Sequence, residues 1–400
     1  MTVLIADAFS EAGLQRLRDA GHHVVYEPAL KEGAFTEALA RHAPAVLVVR
    51  STKVTAADLD ASPALELIVR AGAGYDTIDV EGASRRGIFV ANCPGKNAAA
   101  VAELAFGLLL ALDRRLPENV QQAREGRWNK AGFSAAQGVK GRTLGLVGLG
   151  NIGQEMATRA KAFGMEVVAW SRSLTDEAAR ALGVARAETP EDVARQADVV
   201  SLHVASTPET KHFVDAAFVA AMKPGAALIN TARASVVDEA AVARALDEKG
   251  LRYATDVPAG EPAAKEGEWE HPLAGHPGVY VSHHIGASTE QATEAIGDEA
   301  VRVVLTYAES GRVPNCVNLA EQTPATHLLT VRHRDKVGVL AGVLDVMREA
   351  GWNIQEMENL VFAGAEAACA RIRFDGRPDP GPLDRINGQP DVLNATIIEL

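Results

Sequence analysis

The chain has 400 residues, 47% hydrophobic and 23% charged, with a formal net charge of -12. That length accommodates two or three domains with sizeable cores. The negative balance, with no lysine/arginine block, argues against nucleic acid or an anionic membrane surface as a partner.

The N-terminus, MTVLIADAFS, has no basic leader, and Asp7 breaks its apolar run. It reads as a first strand and not as a signal peptide. HHVVYE, AVLVVR, LELIVRAG and GIFVANC read as further strands, with SEAGLQRLRDAG and FTEALARHA as helices between them. This βαβ rhythm predicts a parallel sheet with helices on both faces. The most apolar stretch, AAAVAELAFGLLLAL, contains Glu103. At about 15 residues it is too short to span a membrane, and it reads as a buried helix. A polar segment, RRLPENVQQAREGRWNKAGF, follows. A second alternating series begins at Thr143: TLGLVGLG, EVVAWS, ADVVSLHV, GAALINTA, RYATDV and GVYVSHHIG. The helix STEQATEAIGDEAVRVVLTYAESG would carry the chain back toward the first domain, and RVPNCVNLAEQTPAT reads as a linker. The tail from Thr326 reads strand, helix, strand, strand, helix, strand, a small α+β module. Cys93, Cys316 and Cys369 are far apart, without disulfide-scaffold or metal-ligand spacing. A reducing, cytoplasmic setting and no metal are expected.

Gly148-Leu-Gly-Asn-Ile-Gly153 lies between a strand and a helix expected over 154–163. Gly148 permits the tight turn, Gly150 lets a pyrophosphate approach the backbone, and Gly153 lets the helix pack on the strand. The helix N-terminus offers bare N–H groups and partial positive charge to phosphates, and Asn151 and Ile152 of the loop are candidate cofactor contacts with the glycines. Proteins that bind NAD usually end the next strand in an acid that holds the ribose hydroxyls. Here Ser171 and Arg172 stand there. An arginine at that point can pair with a 2′-phosphate, favouring NADP, or lie over the adenine ring.

Hydride transfer between a 2-hydroxy acid and a nicotinamide needs a clamp for the carboxylate and a proton shuttle at the C2 oxygen. An arginine fork suits the first task and a histidine the second. A carboxylate beside the histidine would fix its tautomer. Arg233, Glu261 and His284 follow strand ends in that order, behind the dinucleotide loop. In parallel sheets, ligands sit beyond those ends. Singly, such residues are ordinary surface or turn residues; their ordered occurrence points to chemistry.

These residues sit in VRSTKVT, VRAGAGYDTIDV, GLGNIGQEMATRAKAFGM, KPGAALINTARASVVDE, DVPAGEP and HHIGAST. Through these motifs the chain resembles the D-isomer-specific 2-hydroxyacid dehydrogenases. The resemblance implies that Arg233 binds the substrate carboxylate, that His284 is the acid/base and that Glu261 is its partner. It implies that Asp256 contacts the nicotinamide carboxamide and that Thr231, Ala232 and Gly286 line the cofactor. It also implies two doubly wound, Rossmann-like α/β domains. A substrate-binding domain over 1–97 and 284–318 would be split by an NAD(P)-binding domain over 98–283. Four positions depart from the family pattern: Ala234 for Gly, His283 for Pro, Ser171 for an acid, and Val337 for Pro in the tail.

Family members that act on 3-phosphoglycerate carry arginines at the positions of Arg50 and Arg70, near the substrate phosphate. The backbone at Ala73 and Gly74 would approach the carboxylate. The expected reaction is oxidation of 3-phospho-D-glycerate to 3-phosphohydroxypyruvate, at the entry to serine synthesis. Alternatives are a hydroxypyruvate or glyoxylate reductase of the same family, and a dinucleotide-sensing binding protein without catalysis. The tail, HLLTVRHRDKVGVLAGVLDVMREAGWNIQEMEN, resembles an ACT domain over 325–400. There His333, Asp335, Gly338 and Asn353 match positions that line a serine site, with Asp335 in place of an asparagine. The resemblance implies L-serine as a ligand of that module and a homodimer or homotetramer.

Overall fold

The structure, a computed structural model, describes residues 1–30, 32–262 and 266–400. It divides into two compact units, Met1–Asn318 and Leu319–Leu400. The first unit holds two lobes. Lobe 1 runs β1 (Thr2–Ile5), α1 (Glu11–Asp19), β2 (His23–Tyr26), α2 (Glu32–His42), β3 (Val46–Val49), α3 (Ala56–Asp60), β4 (Leu67–Arg70), α4 (Val80–Arg85) and β5 (Phe89–Ala91). These strands form one sheet in the order β2-β1-β3-β4-β5, all parallel. AVLVVR supplies β3, buried along its whole length, as a central strand covered on both faces must be.

Lobe 2 begins with α5 (Ala98–Arg114) and α6 (Leu116–Arg124). It continues through β6 (Thr143–Val147), α7 (Asn151–Ala162), β7 (Glu166–Trp170), α8 (Asp176–Leu182), β8 (Ala185–Arg186), α9 (Pro190–Gln196) and β9 (Val199–Leu202). After these come α10 (Ala216–Ala221), β10 (Ala227–Asn230), α11 (Glu239–Lys249), β11 (Arg252–Thr255) and β12 (Val279–Val281). Its parallel sheet has the order β12-β11-β10-β9-β6-β7-β8. The order reverses at β6, which pairs with both β7 and β9. Such a switch point opens a crevice beyond the carboxyl ends of the strands. In lobe 1 the corresponding switch is at β1, between β2 and β3.

Two helices show where the chain crosses between lobes. Ala102, Ala105, Phe106, Leu109 and Leu112 of α5 pack with Leu144 and Leu146 of β6. The apolar stretch is thus a core helix of lobe 2. α12 (Glu290–Ser310) returns to lobe 1: its Ile296, Ala300, Val301, Val303 and Val304 pack with Val3, Ile5, Val46 and Val48. Among the described residues, no helix is long and apolar enough to cross a membrane.

Three local features differ from the sequence expectation. α7 starts at Asn151 and not at Gln154, because Gly150 is already its extended N-cap. The polar segment holds α6, which has a proline in its first turn and buries no residue. The two-residue β8 extends the sheet edge beyond β7.

The second unit, taken by itself, is β13 (His327–Arg334), α13 (Val339–Glu349), β14 (Asn353–Val361), β15 (Ala367–Asp375), α14 (Pro380–Asn387) and β16 (Val392–Glu399). The strands form an antiparallel sheet, β14-β15-β13-β16, a ferredoxin-like βαββαβ arrangement. Leu329, Val331, Ile372 and Phe374 face Val343, Met347 and Ile386 of the helices. His333 shares this buried side. Its Nδ1 meets the Arg334 carbonyl at 2.7 Å and its Nε2 meets Asn359 Oδ1 at 3.2 Å. The ring reaches β14 across β15, where the opposed residues are only Ala368 and Ala370. Asp335, Asn353 and Val337 are exposed, and Gly338 caps α13 with φ 93°.

Candidate active site

β6 delivers the glycine loop to the switch point. A Cβ on Gly148, which has φ 97°, would lie 2.4 Å from the His203 carbonyl oxygen. A Cβ on Gly153 would lie 2.3 Å from the Gly148 carbonyl oxygen. The protein's own backbone therefore requires both glycines. Gly150 differs: nothing stands within 4 Å of its missing Cβ, and α7 has no capping side chain there. The first-turn N–H groups of Asn151, Ile152 and Gly153 face this open space at the positive end of the helix dipole. The cradle fits a pyrophosphate. β7 ends at Trp170. Beyond it Ser171 is half-buried and Arg172 is exposed, without an ion-pair partner among the described residues. A Thr207 hydrogen bond and, less strongly, the Arg172 charge hold the Glu209 carboxyl below its usual range.

Asn230, the buried last residue of β10, shapes the next turn from both sides. Its Oδ1 accepts from Ala232 N at 3.0 Å, and its Nδ2 donates to the Arg233 carbonyl at 2.9 Å. Arg233 then reaches to lobe 1. Its Nη2 donates to Asp76 Oδ1 at 2.9 Å, its Nε to Asp76 Oδ2 at 3.4 Å, and its Nη1 to the Ala232 carbonyl at 2.7 Å. Gly74 makes room, since a Cβ there would lie 2.0 Å from Arg233 Nη2.

His284 and Glu261 come together as the resemblance implies. His284 Nδ1 lies 2.8 and 3.0 Å from the two Glu261 oxygens. His284 has φ 53°, an uncommon left-handed conformation for a side-chain-bearing residue. Buried Asp256 holds that turn: its carboxylate accepts from Ser282 Oγ at 2.6 Å, Ile285 N at 2.9 Å and Gly286 N at 2.8 Å. Gly286 packs tightly here, since a Cβ would lie 3.0 Å from Asp256 Oδ2. Asp256 thus anchors the turn that carries His284, a structural role beside the cofactor contact the resemblance implies for it.

In lobe 1, Arg50 follows β3 and Arg70 ends β4. Burial, then the charges of Arg233 and Arg50, lower the Arg70 guanidinium, with Asp76 opposing. The Arg233 and Arg50 guanidinium groups thus both lie within electrostatic reach of Arg70. Burial works to raise the Asp76 carboxyl, but hydrogen bonds and charge from Arg233 outweigh it and leave it below the usual range. Asn92 Nδ2 holds the Ala73 carbonyl at 2.7 Å. The Ala73 and Gly74 amides have no acceptor among the described residues.

Sequence reasoning passed over several residues here. Asp7 was visible only as a charge ending an apolar run. Its carboxylate accepts from the amides of Arg50, Ser51 and Thr52 at 2.6, 3.0 and 2.9 Å, fixing the loop that carries Arg50. Asp76 lay unremarked inside AGAGYDTIDV. His203 meets Ser201 Oγ at 2.9 Å, and burial pushes its imidazole down to about 4, so it is neutral. Buried Ser62 Oγ, Arg70 Nε, Thr77 Oγ1, Asn97 Oδ1, His203 Nδ1 and Thr231 Oγ1 have no hydrogen-bond partner among the described residues. Arg70 ends β4, His203 and Thr231 directly follow β9 and β10, and Asn97 is the N-cap of α5. Each unmade bond costs about 1–3 kcal/mol unless another group supplies it.

The D-isomer specific 2-hydroxyacid dehydrogenase, NAD binding domain family matches residues 106–286. The glyoxylate reductase of Thermococcus litoralis is 38% identical over 285 residues, covering 70% of this chain and 84% of that protein. The chain belongs to the D-isomer specific 2-hydroxyacid dehydrogenases. Among other members, the D-3-phosphoglycerate dehydrogenase of Methanocaldococcus jannaschii is 36% identical over 80% of this chain. The chain spans 60% of that relative's length. The NADPH-dependent glyoxylate/hydroxypyruvate reductase of Sinorhizobium meliloti, solved with NADP and malonate, superposes with TM-score 0.67 at 30% identity. That match covers 79% of this chain and 96% of the reductase. The family match contains the glycine loop, Arg233, Glu261 and His284, whereas Arg50, Arg70 and Asp76 lie outside it.

Proposed function

We propose that this 2-hydroxyacid dehydrogenase oxidises 3-phospho-D-glycerate to 3-phosphohydroxypyruvate with NAD(P), the first step of serine biosynthesis. The observation that carries this reading is that Arg233, holding Asp76 across the lobes, and Arg50, just past β3, both bear electrostatically on Arg70 at the end of β4. A substrate with a phosphate at one end and a carboxylate at the other suits three cations. The carboxylate takes Arg233 and the free amides of Ala73 and Gly74. The phosphate takes Arg50 and Arg70. His284 Nε2 accepts the C2 hydroxyl proton as hydride leaves C2. Glu261 on Nδ1 keeps that nitrogen protonated and stabilises the imidazolium. A bound nicotinamide supplies the hydride acceptor.

Residues 98–283 would serve as the cofactor domain, with 1–97 and 284–318 as the substrate domain. Gly148, Gly150, Asn151, Ile152 and Gly153 would hold the pyrophosphate, and Thr231, Ala232, Asp256 and Gly286 the nicotinamide side. Unpaired Arg172 beside Ser171 supports NADP as well as NAD. The tail would act as an ACT-like regulatory module that takes L-serine near Asp335, Gly338 and Asn353 in a homodimer or homotetramer. Its βαββαβ order supports the module. Three free cysteines fit a cytoplasmic setting.

A second reading, an NADPH-dependent hydroxypyruvate or glyoxylate reductase, rests on Ser171 and Arg172 and on the fuller coverage of the Thermococcus relative. Steady-state kinetics with phosphohydroxypyruvate and hydroxypyruvate, each with NADH and NADPH, separates the two. Arg50→Ala and Arg70→Ala should each lower kcat/KM for the phosphorylated acid by 10-fold or more, roughly 1.4 kcal/mol, and leave hydroxypyruvate nearly unchanged. Equal wild-type turnover of both acids, unaffected by these changes, would favour the second reading.

A further inference from the structure

Arginine offers five N–H donors. In Arg233 three are engaged, Nε and Nη2 with Asp76 and Nη1 with the Ala232 carbonyl. Two remain, one on each terminal nitrogen, which is what a bidentate carboxylate uses. Asp76 grips the side edge, Nε with Nη2, and so leaves the terminal fork free. The pair also joins the lobes, since Asp76 follows β4 and Arg233 follows β10.

Without Asp76 the guanidinium would have little to keep it there. Arg70, whose guanidinium lies over Gly72 as that of Arg233 lies over Gly74, is a like charge within electrostatic reach of it. The Arg233 side chain is 30% exposed, so water lies within reach of a swing outward. Gly74 and Gly72 leave both guanidinium groups room to move, since neither glycine carries a Cβ against them.

We propose that Asp76 is a positioning residue for substrate recognition: it fixes the plane of Arg233 so that the terminal fork meets the carboxylate of the 2-hydroxy acid. This rests on the role proposed above for Arg233. Asp76 is the counter-ion that lets three guanidinium groups face one small dianionic or trianionic substrate without one of them turning away.

The test is a KM-against-kcat comparison on the full-length protein with phosphohydroxypyruvate and hydroxypyruvate, beside a fluorescence titration with NADPH. Asp76→Ala should raise KM for both keto acids by 10-fold or more, because both carry the carboxylate, and lower kcat. Its dissociation constant for NADPH should stay within two-fold of wild type. Asp76→Asn keeps one acceptor oxygen for Nη2 and should recover most of the lost KM. In an Arg233→Ala background, Asp76→Ala should add nothing. Keto-acid KM and kcat within two-fold of wild type in Asp76→Ala would overturn the proposal. So would a parallel loss of NADPH affinity, which marks general disruption. Arg233→Ala alone separates the two layers. An unchanged KM there removes the role of Arg233 itself, whereas a raised KM there beside a wild-type Asp76→Ala removes only that of Asp76.

Discussion

Gly148 and Gly150 stand two residues apart and are glycine for opposite reasons. At Gly148 a side chain would strike the His203 carbonyl at 2.4 Å in a left-handed backbone; at Gly150 it would meet nothing within 4 Å. Gly148→Ala should therefore destabilise the fold by more than about 1 kcal/mol, visible as a lower thermal midpoint without any ligand. Gly150→Ala should leave that midpoint unchanged and weaken dinucleotide binding at least 10-fold in a titration. A lower midpoint in Gly150→Ala with unchanged binding would contradict the assignment of the loop. Such glycine roles were legible because turn, cradle and packing are properties of six consecutive residues. Asp76 was not legible, because its partner Arg233 is 157 residues away and only the folded lobes bring them together. Asp7 escaped for the same reason: it binds amides 43–45 residues downstream.

The long elements were legible where burial imposes a pattern. The central strands are continuous apolar runs because both faces of their sheets are covered, and α5 is apolar on the broad face it buries while Ala99, Glu103 and Gly107 line an exposed one. α6 and β8 went unread because the first buries no residue and the second is two residues long. The crossing between lobes is held by a group no pattern announces. Glu299, 7% exposed on α12, accepts from Arg302 Nη2 at 2.6 Å and Asn315 Nδ2 at 2.7 Å, with Lys96 Nζ at 3.5 Å. Arg302 hydrogen bonding, then Asn315 and the nearby cationic charges, outweigh burial and lower its carboxyl from 4.5 to about 2. A carboxyl depressed in the fold stabilises it above its unfolded value, and that stability is lost as pH falls through the folded value. The Glu299 contribution should thus be complete above pH 4.5 and fade toward 2. By linkage it amounts to on the order of 3 kcal/mol. Urea unfolding of wild type and Glu299→Gln should show that gap at pH 7 and a shrinking one in acid. A gap independent of pH would refute this reading of the Lys96–Glu299–Asn315 junction.

At the scale of the whole chain, the βα rhythm announced two parallel sheets, and parallel sheets place ligands beyond their carboxyl ends. Arg70 ends β4, and Arg50, Arg233 and His284 follow the ends of β3, β10 and β12. What the rhythm left open was how loops from separate sheets face each other, since that depends on α5 crossing to lobe 2 and α12 returning to lobe 1. The tail was legible as an α+β module from its alternation, but not the inward His333 bridge to Asn359, which depends on two alanines between them. The account as a whole stands on the cleft being catalytic, with His284 as its proton shuttle. The direct measurement is turnover of 3-phosphoglycerate by His284→Asn, a residue that tolerates the left-handed backbone and can still bond Glu261. General acid–base catalysis is worth roughly 100- to 10,000-fold, so kcat should fall within that range while the dissociation constant for the dinucleotide changes less than three-fold. A His284→Asn enzyme that keeps kcat within a few-fold of wild type would contradict the account.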